Sequence, residues 1–306
     1  MLTAFFEKAG EGLAGKWLER LFGPAFLFWA GGLLIAIRPA RLPAVWERLA
    51  AMPPVTQAGL LLAAALLLVA SSALMELLHL PILRLLEGYW PPPFDRLGGL
   101  LIRWKQKRLR RQRQRWSELE LKQRAGALSP LERQELARLE ARRARTPRDL
   151  EDIQPTALGD ILRAAETRPY QRYGLEPVLL WPRLWLLLPE GVQEEISAAR
   201  QRLDRLAESW AWGLLFLLWG LAWPWAVPIA LAWMALAGIL LRQSAALFAD
   251  LLVATFDTQR WRLYEALRWP LPEETGQAEV ARGLALTRFI QRGMTDGAVR
   301  YQQPQG

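Results

Sequence analysis

The sequence predicts an all-α, polytopic helical membrane protein with about four transmembrane helices and a cytoplasmic helical insert. Three observations carry that expectation. The chain of 306 residues is 52% hydrophobic and holds 16 Trp, a residue whose amphipathic ring favours membrane interfaces. Charge-free runs recur at residues 21–37, 49–75 and 209–241. Between the second and third runs lies a dense block of positive charge. Residues 103–150 hold 16 of the 39 Lys and Arg but 6 of the 30 Asp and Glu, which leaves 23 against 24 elsewhere. The net charge of +9 therefore belongs to one segment.

Composition excludes several chemistries. Cys is absent, which removes disulfides, thiol nucleophiles and thiolate metal sites. One His leaves no multi-histidine metal centre and at most one imidazole acid or base. Neither a phosphate-cradling glycine loop nor a nucleophile elbow occurs. No catalytic residue, cofactor or metal is expected, and the chain reads as a non-enzyme.

Taken in order, residues 1–20 read as an N-terminal amphipathic helix and 21–81 as transmembrane helices one and two. Arg20 and Arg38 bracket the first span, 17 residues of LFGPAFLFWAGGLLIAI, just long enough to cross a hydrocarbon core. Pro53-Pro54 interrupts the second run, so its helix is expected over the 21 residues 55–75. Residues 208–242 read as a transmembrane hairpin, helices three and four, turning at "WPWAVP" (223–228). There Pro224 and Pro228 each remove a backbone donor. A kinked single span stays open as the other reading. Residues 243–306 are expected to be cytoplasmic helices and tail.

Orientation follows the Lys/Arg bias. The basic block places the segment after span two in the cytoplasm, and four spans then put both termini there. The loop 38–48, with Arg38, Arg41 and Arg48 against Glu47, opposes this with a smaller excess. A bacterial inner membrane is the expected location.

The insert divides into a basic helical hairpin, 82–154, and a cytoplasmic helical domain with a stalk, 155–207. "EGYWPPPFD" (87–95) reads as a stiff, extended exit from the membrane. Arg103, Lys105, Lys107, Arg108, Arg110, Arg111, Arg113 and Arg115 follow in "RWKQKRLRRQRQR", a block that reads as charged on every side of its helix and without an apolar face. In "GALSPLERQE", Ser129 is expected as N-cap, Pro130 at the first helical position and Glu132 as the other half of a capping box. Leu131, Leu136 and Leu139 give that arm its apolar stripe. "TPRDLEDIQPT" (146–156) reads as a linker and Thr156 as a helix cap. Residues 178–188, VLLWPRLWLLL, are too short to span, and a re-entrant or surface-lying segment is the first reading. A core element of a small domain is the other. Val192, Ile196, Ala199, Leu203, Leu206 and Trp210 then repeat at helical spacing.

"LGDILRAAETRPYQRYGLEPVLLWPRLWLLLPE", with "DTQRWRLYEALRWPLP" after a paired apolar segment, resembles an uncharacterised family of bacterial multi-pass membrane proteins of the cyanobacterial and actinobacterial type. The resemblance covers roughly residues 156–272. It implies a topology and no activity.

Two candidate sites remain. The eight cations of 103–115 suit anionic membrane lipid, for juxtamembrane Lys/Arg clusters attract acidic headgroups. Nucleic acid and a solvated topology signal are the other readings, and a protein partner could dock on 103–145. Asp250 and Asp257 are candidate intramembrane acids, seven apart on one helical face. A salt bridge to an Arg of the cytoplasmic domain and a proton or cation path are both open. Glu76 and His79 sit at i and i+3, but a carboxylate-bridged metal site needs a second His. The expected function is a membrane scaffold or anchor that recruits a partner or lipid. An oligomeric channel or transporter, and an effector or sensor of a multi-protein system, are the alternatives.

Overall fold

A computed structural model describes residues 23–37 and 42–293. The expected helix at 1–20, Arg38, Arg41 and residues 294–306 lie outside the described residues. Among the described residues the chain is all-helical: α1 (Pro24–Ile37), α2 (Leu42–Ala50), α3 (Pro54–Leu77), α4 (His79–Glu87), α5 (Asp95–Arg124), α6 (Pro130–Ala144), α7 (Ala157–Tyr173), α8 (Pro177–Trp185), α9 (Glu190–Phe216), α10 (Ala226–Gln259), α11 (Trp261–Ala266) and α12 (Gln277–Arg292). Short 3₁₀ turns lie at Leu150–Asp152 and Leu217–Leu221.

The chain forms two compact units. The first contains the residues up to Leu83 together with Asp204–Leu240. Here α3 starts at Pro54, as Pro53-Pro54 dictates, and Met75 is its one buried residue. Leu61, Leu62, Leu66 and Leu74 are exposed. A helix that is apolar all round and uncovered by protein is in the condition of a membrane span. The unit's core gathers Ala25, Phe28, Ala211, Trp212, Phe216, Ala226 and Ala230. Phe28 packs its ring at 5.1 Å from Trp29, 5.2 Å from Trp212 and 5.7 Å from Trp219. Gly32 is required there, since a Cβ would lie 2.0 Å from the Trp219 indole.

Residues 217–226 turn the chain back on itself. Trp233 Nε1 donates to Ser209 Oγ at 3.0 Å, and Gly213 and Gly220 sit against Met234 and Val227. The hairpin expected at "WPWAVP" is therefore present as a helical hairpin. The expectation of four spans is met only in part. Two helices, Pro54–Leu77 and Ala226–Gln259, are long and apolar enough to cross a membrane, and up to three if Pro24–Ile37 and Leu42–Ala50 act as one. The third expected segment, from residue 209, is only the last two turns of α9. The preceding turns carry Arg200, Arg202, Asp204, Arg205 and Glu208, and charge in that position breaks an apolar run.

The second unit contains Arg84–Leu203 and the described residues from Leu241 onwards. Its core joins Leu175, Leu180, Leu184, Leu188, Ile196, Phe256, Leu263, Tyr264, Trp269 and Leu286. Residues 178–188 contribute to this core, as the second of the two sequence readings expects, while Val178 and Leu186 on the other side are exposed. They form α8 and its exit, with Leu180 and Leu184 completely buried. The spacing of four between those leucines gives α8 one inward stripe, which a protein core satisfies as well as a membrane does. Helix α7 packs on α12 at very short range. A Cβ on Gly283 would lie 1.8 Å from the Tyr173 carbonyl oxygen, and Gly174 ends α7 at φ +68°, where glycine is favoured. Thr287 Oγ1 donates to the Gly174 carbonyl at 2.8 Å and accepts from Glu176 N at 3.2 Å.

"WPPPF" is not extended throughout. The chain turns at residues 92–94 and enters α5 at Asp95. The expected linker is also packed. Ile153 and Pro147 are buried, and its carbonyls are bound by α5, as described next.

Candidate functional site: the basic helical hairpin

Helix α5 has Asp95 in its first turn and Lys122 and Arg124 in its last, charges that match the helix dipole. Helix α6 opens with the expected capping box. Ser129 Oγ accepts from Glu132 N at 3.3 Å, and Glu132 Oε2 accepts from Ser129 N at 3.0 Å. The Lys122 ammonium, 2.6 Å from Glu132, leads these contacts in holding the Glu132 carboxyl down at about 2. Leu119, Leu136 and Leu139 close the hairpin core with Trp116 and Leu128. Leu131, expected in that stripe, is exposed.

The eight expected site cations divide into two groups by what they touch. Lys105, Arg113 and Arg115 are half-buried and bound within the protein. Lys105 Nζ donates to the carbonyls of Gln154 at 2.7 Å and Thr156 at 3.0 Å and pairs with the Asp160 carboxylate. Asp160 also accepts from Gln154 N at 2.9 Å. Burial pushes the Asp160 carboxyl up, while Lys105 and the Gln154 N–H oppose that rise. One turn on, Gln106 Nε2 donates to the Leu150 carbonyl at 2.8 Å. Arg113 donates to the carbonyls of Pro147 at 3.2 Å and Arg148 at 2.5 Å. Arg115 grips both oxygens of Glu135 at 3.0 Å, a bidentate pair. One face of α5 is therefore a clamp along residues 147–156, made by Lys105, Gln106 and Arg113.

Arg103, Lys107, Arg108, Arg110 and Arg111 are exposed. Among the described residues none of the five makes an ion pair. The Arg108 guanidinium lies 5.6 Å from the centre of the Trp104 ring. An open cleft of about 630 Å³ runs between α5 and α6, lined in part by Trp104, Arg108, Arg111, Arg138 and Arg142.

Of the two acids, Asp257 accepts from Arg172 Nη1 at 3.1 Å and from the Tyr173 hydroxyl at 2.6 Å. This is the salt bridge that one sequence reading anticipates. Asp250 is exposed. His79 Nδ1 lies 2.6 Å from the Glu76 carbonyl oxygen, so the contact uses the Glu76 backbone. Among the described residues no group of three His, Asp or Glu is placed to hold a metal ion.

Sequence reasoning missed Asp160 and Gln106. An acid in the first turn of a helix, as in "PTALGD", normally suits the helix dipole. Nothing local marks Asp160 as the counter-ion of a lysine 55 positions away.

The class that emerges is an all-helical protein with two to three helices long and apolar enough to cross a membrane, carrying a clamped basic hairpin. Among known proteins, no family model, curated protein or solved structure matches the chain.

Proposed function

We propose that the chain is an integral membrane scaffold of a bacterial inner membrane that holds anionic lipid with the exposed cation row of α5. One observation carries this reading. Among the described residues, five exposed cations within residues 103–111 of one helix make no ion pair, while Lys105, Arg113 and Arg115 of the same block are bound within the protein. A solvated topology signal does not require its helix to be fastened along its inner face. A docking surface gains from being rigid, because less freedom is lost on binding. Four spans, a cytoplasmic insert and cytoplasmic termini belong to the same proposal. The hairpin at 217–226 and the uncovered leucines of α3 support it. Residues 103–145 also offer a surface to a protein partner.

The full-length protein in neutral-lipid nanodiscs tests this by co-flotation with vesicles. Vesicles rich in phosphatidylserine should be captured and phosphatidylcholine vesicles ignored. Capture should fall steeply with salt, as the screening length shrinks from about 10 Å at 0.1 M to about 3 Å at 1 M. Each lost cation removes about 1 kcal/mol near an anionic surface. Changing Arg103, Lys107, Arg108 and Arg111 together to Gln should therefore weaken capture by up to about three orders of magnitude. Stripping of the vesicles by stoichiometric mixed-sequence DNA would assign the row to nucleic acid instead.

A further inference from the structure

A second concentration of arginine lies away from the outer face of α5. The end of α6, the following strap and one side of α7 enclose a pocket of about 280 Å³, lined by Arg143, Arg148, Arg168, Arg172, Thr146 and Gln171, with Ala144 and Ala164 beneath. No acid lines it.

The arginines are held in place from behind. The Arg143 guanidinium stacks 3.5 Å from the centre of the Trp116 ring. Arg168 Nη2 donates to the Ala144 carbonyl at 2.5 Å. Arg172 is anchored by Asp257. The backbone of Arg148 is gripped by Arg113, and the Arg148 side chain makes no hydrogen bond or ion pair among the described residues. A guanidinium has five N–H donors, so one rearward contact leaves most of them free to point elsewhere.

The charges strain one another. Burial lowers the Arg143 and Arg168 guanidiniums first. Arg113 and Arg148 lower Arg143 further, and Arg172 and Arg148 do the same to Arg168. Glu120 and Glu140 offset part of the repulsion at Arg143, and Asp250 and Asp257 part of it at Arg168. These acids stand outside the pocket lining. Crowded like charges favour an opposite charge among them, and the planar forks of arginine match the oxygens of a phosphate.

We propose that Arg143, Arg148, Arg168 and Arg172 form a binding site for a phosphate group, borne either by a small soluble phosphate ester or by a phosphomonoester lipid headgroup. The site does not depend on lipid capture by the outer face of α5, since it shares none of the five exposed cations.

The test is calorimetric titration of inorganic pyrophosphate into the full-length protein in phosphatidylcholine nanodiscs. Saturable binding of one pyrophosphate per chain is expected. Arg148→Gln and Arg168→Gln should each weaken it by about tenfold, the effect of losing one charge-assisted hydrogen bond. Arg148→Gln removes no contact within the protein, so its loss of affinity is not a folding defect. The outer-face pair Arg103→Gln and Arg110→Gln should bind as the parent does. Nanodiscs containing phosphatidic acid separate the two sources. Weakened pyrophosphate binding there identifies the lipid headgroup, and unchanged binding identifies a soluble ester. Absence of saturable binding overturns the proposal, as does binding that survives both pocket changes or is lost in the outer-face pair.

Discussion

Lys105 and Asp160 stand 55 positions apart in the sequence and form an ion pair inside one compact unit. Around them the carbonyls of Gln154 and Thr156 use the remaining ammonium protons. The pair fastens α5 to the first turn of α7, and Thr156 Oγ1 extends the same knot to the Glu87 carbonyl at 2.9 Å. Removing one partner leaves the other buried without compensation, at a cost of about 3 kcal/mol. Lys105→Met should lower the thermal midpoint of the unit accordingly. Lys105→Met with Asp160→Leu should recover most of the loss. A double variant as unstable as the sum of the singles would show that the pair is not the coupling element.

Asp160 also sets a pH dependence. Its folded carboxyl is raised above the ordinary 3.8, mainly by burial. The folded chain therefore takes up this proton at a pH where the unfolded chain is still ionised. From this group, stability is constant above the raised value and grows as pH falls through it towards 3.8. In thermal melts from pH 7 to pH 4, the midpoint of the parent relative to Asp160→Asn should rise as the solution is acidified. A difference that shrinks on acidification contradicts the burial assignment.

Gly283 and Gly99 predict opposite outcomes for the same substitution. A methyl at Gly283 collides with backbone, the Tyr173 carbonyl, which cannot rotate away. Gly283→Ala should destabilise the α7–α12 contact by about 3 kcal/mol. Gly99 has nothing within 4 Å of a built Cβ and lies within α5. Gly99→Ala should stabilise by about 0.5–1 kcal/mol through helix propensity. Proteolytic susceptibility of the detergent-solubilised protein reads both.

Asp257 is committed to Arg172 and Tyr173. Burial, and then the hydrogen bond to Asp257, push the Tyr173 hydroxyl up. Asp257→Asn should lower stability by about 1 kcal/mol, a modest figure because the pair is part-exposed, and leave liposome ion flux unchanged. A proton or cation current in the parent that vanishes in the variant would replace the scaffold with a conducting protein.

The chain lacks cysteine, so single cysteines report sidedness without background. Introduced at Ala44, Ala125, Trp225 and Gly293, they should label from outside, inside, outside and inside. Labelling of Gly293 from outside would mean an odd number of spans.

Local chemistry was legible in the sequence because it needs only near neighbours. The capping box of Ser129 and Glu132, the cap at Thr156, the start of α3 at Pro54, the turn at "WPWAVP" and the stripe from Val192 to Leu203 all depend on residues three or four apart. The fate of the basic block did not. Whether a cation is bound within the protein or left at the surface depends on carbonyls and carboxylates 20–55 positions away, so Lys105, Arg113 and Arg115 look no different in sequence from Arg103, Lys107 and Arg108. The same holds for 178–188, where an apolar stripe suits a bilayer and a protein core equally. Only packing against Phe256, Leu263 and Leu286 decided it. The arginine pocket is the clearest case. Arg143, Arg148, Arg168 and Arg172 belong to three separate elements, and no periodicity within one element could have placed four guanidiniums around a single cavity.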